Sequence, residues 1–327
     1  MTLMKFWKKP LLALLAPLAF TSAMAQADYP NKPVRIIVPY SAGGSSDVVA
    51  RAISEEMGKA LGQPVVVENK AGAGSLLGIQ YVAGEAADGY TLVLADVPFT
   101  IVPALYRERA RYDATKDFAP IALLSVAPMY LFVGPNGKAK TTQDVVAMAK
   151  ARPDSVSIGS GGNGSLTHLM AELLMINAGI RMTHVPYKGA AASVTDLAAN
   201  QLDVSFTTMA SATSLMQAGK IRPIGVSGAQ RSKEAPGVPT FQEAGVPNMV
   251  VESWWGLLAP AGVSPSVLNK LTEATRKALQ APAVKARMAA VGMTEPADMG
   301  PQALSAMVKT DLARWQAVIQ RSGIKLD

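Results

Sequence analysis

The chain has 327 residues, with 31 Lys and Arg against 24 Asp and Glu, two His and no Cys. A net charge of +7 is too small for a nucleic-acid footprint, and two histidines with no cysteine leave a zinc site short of ligands. The absence of cysteine removes disulfides and is read as excluding a lipid-anchored form.

Lys5, Lys8 and Lys9 stand before an apolar stretch at 10–20, which runs into Thr21-Ser22-Ala23-Met24-Ala25. A basic start, a short apolar middle and an A-x-A end make a secretory signal peptide of residues 1–25, with cleavage expected after Ala25 and Ala27 as the alternative. The apolar part falls short of the roughly 20 residues that a spanning helix needs, so the mature chain is expected to be exported and soluble. Losing the signal takes three lysines from the 31 basic residues, which leaves 28 against 24 acids and a net charge of +4. About 300 remaining residues can bury one or two cores.

Residues 34–38 read as a buried strand by their β-branched content. The loop Pro39-Tyr40-Ser41-Ala42-Gly43-Gly44 follows, then a helix over 46–61 with Val48, Val49, Ala52, Ile53, Met57 and Leu61 on one face and Gly62 as its stop. Residues 65–67 give the next strand, 75–86 the next helix, and 91–95 the strand after the Asp88-Gly89 turn. A βαβαβ order predicts an α/β fold with a mostly parallel sheet.

Apolar strands at 121–126 and 129–133 flank Pro128, and a helix at 142–151 leads into a strand at 156–158 and the loop Gly159-Ser160-Gly161-Gly162-Asn163-Gly164-Ser165. Helices at 166–178, 190–199 and 210–218 then alternate with strands at 182–185, 204–206 and 221–226. After an apolar strand at 253–260, amphipathic helices at 265–280, 282–290 and 301–322 are expected to cover the first sheet. A chain that leaves a first domain near Val126 and returns near Val226 gives a discontinuous domain 1 (26–125 with 227–327) and a domain 2 (126–226). Two hinge strands would join them, with a cleft between.

The same device thus occurs twice: a buried strand runs into a Gly/Ser loop that opens a helix. Each should present unpaired backbone N–H groups at the positive end of a helix dipole, and two such sites in two sub-domains suggest a clamp for a small carboxylate. Simpler roles stand beside the binding ones. Ser45 and Ser46 can serve as helix caps, and Asp47 in a first turn serves the dipole and would repel a bound anion. His184, Lys188, Trp254 and Trp255 read as structural or solvated residues.

The order of blocks carries a resemblance. Tyr29-Pro30-x-Lys32-Pro33-Val34-Arg35-Ile36-Ile37-Val38-Pro39, Ala42-Gly43-Gly44 with Asp47, and Leu61-Gly62-Gln63-Pro64-Val65-Val66-Val67-Glu68-Asn69-Lys70-x-Gly72-Ala73-Gly74 are matched first. Asp88-Gly89-Tyr90-Thr91-Leu92, His184-Val185-Pro186-Tyr187-Lys188-Gly189 and Trp255-Gly256-Leu257-Leu258-Ala259-Pro260 continue the match over nearly the whole mature chain. The chain resembles the Bug (TctC-like) family, the periplasmic solute receptors of tripartite tricarboxylate transporters. That resemblance implies a type II periplasmic-binding-protein fold, two βα domains that close on a dicarboxylate or aromatic carboxylate for delivery to the membrane subunits of a tripartite system, dedicated or not. The implied ligand contacts are Tyr40, Ser41, Ala42, Gly43, Ser45 and Ser46 in the first loop and Ser160, Gly161, Gly162, Asn163, Ser165 and His168 in the second. Asn69, Ala73, Asp96, Tyr187, Thr207 and Thr208 are implied as further contacts. Tyr40 and Phe99 lean the reading toward tolerance of an aromatic ligand.

The 159–164 loop also matches the G-x-G-x-x-G dinucleotide fingerprint, which makes an NAD-dependent dehydrogenase the alternative. About 20 residues on, where an acid should hold the ribose, the chain reads His184-Val185-Pro186. No G-x-S-x-G elbow is present. The expectation is a monomeric, periplasmic binding protein and no enzyme, with no catalytic residue, metal, cofactor or nucleic-acid partner.

Overall fold

The computed structural model describes Thr2, 29–40, 42–106 and 108–324. The signal peptide reading and Ser41 lie outside the described residues.

In chain order, β1 (Val34–Val38), α1 (Ser45–Leu61), β2 (Val65–Asn69), α2 (Leu76–Ala83) and β3 (Thr91–Asp96) follow the sequence pattern closely. α1 stops at Gly62, whose φ of 72° is the left-handed C-cap expected of glycine. α3 (Pro98–Leu105) is not foreshadowed, because its β-branched residues and Pro103 argue against a helix. Pro103 leaves the Phe99 carbonyl without its helical donor, and the Tyr112 hydroxyl donates to that oxygen at 3.0 Å instead.

The two strands expected around Pro128 are one, β4 (Phe118–Val133). Pro128 is tolerated because it sits where the strand passes from one set of partners to another, and the following N–H, of Met129, donates to Ser227 Oγ at 2.9 Å. α4 (Thr142–Ala151), β5 (Ser157–Ser160), α5 (Leu166–Ala178), β6 (Thr183–Pro186), α6 (Ala190–Ala198), β7 (Val204–Thr208), α7 (Met209–Gln217) and β8 (Arg222–Val226) then repeat the βα alternation. β9 (Glu252–Pro260), α8 (Pro265–Gln280), α9 (Pro282–Ala289) and α10 (Pro301–Ser322) complete the chain.

The strand order is β2-β1-β3-β9-β4-β7-β5-β6, with β8 on the other side of β4. β1, β2 and β3 are parallel, and β9 is antiparallel between β3 and residues 118–128 of β4. Residues 129–133 of β4 pair antiparallel with β7, and 130–133 with β8, while β5, β6 and β7 are parallel. β4 therefore belongs to both sheets. The stretch 228–251 stays on the second sheet, with Phe241 N donating to Val226 O at 3.1 Å and Val251 N to Ser227 O at 3.1 Å.

α8 and α9 pack on α1 over the first sheet, as expected of the C-terminal helices. α10 departs from that expectation: it lies on α3 and β4 and also against α5 of the second sheet. Its Trp315 and the Trp254 of β9 are both fully buried in one core that runs through both halves. Trp254 Nε1 donates to Asp311 Oδ2 of α10 at 2.7 Å, which ties the last helix to the strand crossing.

Candidate functional site

Parallel strands deliver the starts of their following helices to one end of a sheet, and the two sheets turn those ends toward one cleft of about 270 Å³. Elements of the first sheet contribute Tyr40, Ser45, Ser46, Asp96, Pro98 and Trp255. Elements of the second contribute Gly161, Ser165, Leu166 and Thr167 around the start of α5, Gly189 and Ala190 at the start of α6, and Thr207, Thr208 and Ser211 at the start of α7. Met129 and Ser253 line it where β4 and β9 cross between the halves.

Three of these helices open without a side-chain cap. Their N-cap residues are Gly44 for α1, Gly189 for α6 and Thr208 for α7, none with a side-chain bond to the first-turn amides. Ser45 and Ser46 are thus not caps. Ser46 Oγ donates to Asp96 Oδ2 at 3.1 Å and accepts from Trp255 Nε1 at 3.1 Å, while the Tyr40 hydroxyl donates to Asp96 Oδ1 at 2.6 Å. Desolvation raises the Asp96 carboxyl to about 6, against the lowering effect of these two hydroxyls. Of the residues lining the cleft, Asp96 is the one carboxylate, and none is Lys, Arg or His.

Asp47 works behind the first loop. Its Oδ2 accepts from Gly43 N at 3.0 Å and Arg51 Nε at 2.9 Å, and its Oδ1 from Asn69 Nδ2 at 2.9 Å. Burial acts to raise this carboxyl, but the bonds from Arg51, Gly43 and Asn69 prevail and hold it below the ordinary range. Asn69 also donates to Tyr40 O at 3.0 Å, so its amide is spent on shaping the loop.

The second loop is held from inside. Gly161 N donates to Thr167 Oγ1 at 2.7 Å, Gly162 N to Ser160 Oγ at 3.1 Å, and Gly164 N to His168 Nδ1 at 3.1 Å. The amides expected to meet the ligand from Gly161 and Gly162 are therefore already engaged. Gly162 has φ of 115°, and a Cβ there would lie 2.8 Å from Tyr187 O, so the loop needs glycine for its own closure. His168 and His184 stack at 4.0 Å with an interplanar angle of 10°, and His184 Nε2 lies 2.6 Å from Ser160 Oγ.

Among the residues anticipated from sequence, the cleft thus brings together Tyr40, Ser45, Ser46, Asp96, Gly161, Ser165, Thr207 and Thr208. Ala42, Gly43, Asn69 and Ala73 are exposed outside its lining, and Ser160 and His168 are buried beneath it. Gly162 and Asn163 also stand outside the lining. The Tyr187 hydroxyl donates to Asp196 Oδ2 at 2.8 Å, and Phe99 is fully buried against Tyr112 and Phe118. The aromatic lean therefore loses Phe99 and gains Trp255. The stretch Tyr187 to Gly189, which the resemblance implied as a further contact, reaches the lining through Gly189 and the adjoining Ala190 of α6 rather than through Tyr187.

Burial, with the neighbouring His168, lowers His184 to about 4 from its usual 6.5. A base with a depressed folded value binds fewer protons when folded, so its contribution to stability is whole above about 6.5 and is lost as pH falls toward 4. Calorimetry should show the melting temperature falling over that window, by less than the ~3 kcal/mol equivalent of the full shift because the ring is partly exposed and screened, and His184→Gln should flatten the fall. An equally steep fall in His184→Gln would remove the histidine pair as its cause.

Comparison with known proteins agrees with this geometry. Residues 49–324 match the family described as tripartite tricarboxylate transporter family receptor, TctC. Protein BugT of Bordetella pertussis is 33% identical over 312 residues, covering 93% of this chain and 94% of its own. MatC of Rhodopseudomonas palustris, solved with bound malate, is 31% identical with a TM-score of 0.79, covering 89% of this chain and 100% of that one. R. palustris Rpa4515, solved with adipate, is 30% identical with a TM-score of 0.81, covering 91% and 99%. The two βα halves and their shared cleft are those of the periplasmic binding proteins, and the chain belongs to the TctC family of tripartite tricarboxylate transporter receptors.

Proposed function

We propose that the chain is an exported receptor, cut after Ala25, that captures a small organic carboxylate between two lobes and hands it to a membrane transporter. The lobes are 26–125 with 227–327 and 126–226, with 228–251 riding on the second. The observation that carries the reading is the convergence of three uncapped helix starts, α1, α6 and α7, on one cleft. Each gives a carboxylate about 0.3–1 kcal/mol when exposed and up to ~2 when partly buried. Hydrogen bonds to a charged group add roughly 1.5–3 kcal/mol each, and micromolar affinity needs about 8. A few such bonds reach that figure only in a cleft closed to water, which makes lobe closure part of the affinity. The carboxylates bound by MatC and Rpa4515 support the ligand class.

The G-x-G-x-x-G match gains no support: the glycine amides at 161, 162 and 164 are spent within the loop rather than left for a pyrophosphate. A thermal-shift panel of C4–C6 dicarboxylates, citrate, amino acids, benzoate, phthalates and nicotinate, with NAD as control, tests the proposal. A saturable rise with one class of acid is expected. A rise with NAD alone would overturn it.

A further inference from the structure

Asp96 is the feature of the cleft that capture of a simple anion does not use. Its two oxygens are fixed by Tyr40 and Ser46, and Ser46 is fixed in turn by Trp255, so the carboxylate is held by a chain of donors on the cleft wall. A carboxylate has about four acceptor positions, and these two hydroxyls fill one on each oxygen. No ion pair is made to Asp96 among the described residues, and the cleft lining holds no cation. Partial burial raises its carboxyl, and no described cation beside it opposes the rise.

The two kinds of group in the cleft ask for different ligand ends. The starts of α6 and α7 carry roughly half a positive charge each, that of α1 is partly offset by Asp47 in its first turn, and together they suit one carboxylate. Asp96 suits a donor, above all a cationic one, and repels a second carboxylate brought near it. Resting on the receptor reading above, we infer that Asp96 is a specificity-determining residue and that the ligand is a carboxylate that also carries an ammonium group. The ammonium donates to the free positions on Asp96 and supplies the missing counter-charge. The Tyr40 and Trp255 rings beside it add surface over which a cation is favourable.

Isothermal titration of the purified mature protein with matched pairs tests this. 4-Aminobutanoate is compared with succinate, 5-aminopentanoate with glutarate, and leucine with 4-methylpentanoate. In at least one pair the amino compound is expected to bind tenfold or more tighter. Asp96→Asn, which keeps the shape of the side chain and can keep its contacts to Tyr40 and Ser46, is expected to abolish that preference and to leave or improve binding of the partner acid. A dicarboxylate or plain acid preferred by the unaltered protein would overturn the inference while upholding the receptor reading, whether or not Asp96→Asn folds. An amino preference that survives unchanged in a folded Asp96→Asn would also overturn it. No binding of any of the six compounds, together with a silent thermal-shift panel, would overturn both readings.

Discussion

Replacing Ser45 with Pro is expected to weaken carboxylate binding about 10- to 100-fold, the loss of one hydrogen bond to a charged group, with little change in the stability of the free protein. Ser45 is the first helical residue of α1, where proline is favoured because the N–H has no helical partner. Gly44 before it is extended, at φ −77° and ψ 170°, the conformation a residue preceding proline prefers. The substitution therefore deletes the amide donor of a residue that lines the cleft and spares the helix. Ser45→Val has comparable bulk and keeps the N–H, and Ser45→Ala removes only the hydroxyl; both should bind within about threefold of the unaltered protein if the backbone is the ligand's partner. Titration with the carboxylate found by the panel decides it. Equal affinity for the Ser45→Pro and Ser45→Val proteins would sink the amide clamp at α1.

The second large effect concerns stability. Trp254→Ala empties a fully buried site in the core shared by both halves and leaves the Asp311 carboxylate without its indole donor. The cost is about 3–5 kcal/mol, or a fall of about 6 °C in melting temperature for a chain of roughly 300 ordered residues. Asp311 makes the loss more than a cavity. It is 1% exposed, and burial raises its carboxyl against the opposing effects of Trp254 and Arg314. Trp254→Phe keeps most of the volume while removing the donor to Oδ2, and should cost about 1–3 kcal/mol through that lost bond alone, with Arg314 still donating to Asp311 Oδ1 at 3.2 Å. Scanning calorimetry at neutral pH separates the two variants. A Trp254→Ala protein that melts with the unaltered one would show that the strand crossing does not depend on this contact.

Most of the fold is written in local pattern. The β-branched runs at 34–38 and 91–96 and the glycine stop at Gly62 are each decided by a few adjacent residues, and they appear where the pattern puts them. α3 and the continuous β4 were hidden because proline argues locally against both. What permits them lies elsewhere in the chain: the Tyr112 hydroxyl on the Phe99 carbonyl, and the Ser227 hydroxyl on the Met129 amide. The reach of α10 onto α5 is a tertiary choice that an amphipathic stripe does not specify.

At the site, the Gly/Ser loops pointed to the right ends of the right strands, but a sequence does not say which amides a loop keeps for itself. The hydroxyls and imidazoles that occupy Gly161, Gly162 and Gly164 come from Thr167, Ser160 and His168, residues that read equally well as ligand contacts. Asp96 was placed among the contacts by resemblance. Its meaning came only with the structure, which shows it fixed by Tyr40 and Ser46 and without a counter-charge.

The insertion of β9 between β3 and β4 sets an order of assembly. As a nascent chain leaves the ribosome, the partners of the second sheet are all present once β8 at 222–226 has emerged. β3 and the first part of β4 must wait as open edges until 252–260 arrive to fill the gap. Contacts so distant along the chain close slowly, and the seam that α10 covers closes last. The first lobe thus stays unfinished until nearly the whole polypeptide has been made, long after the second has all its strands.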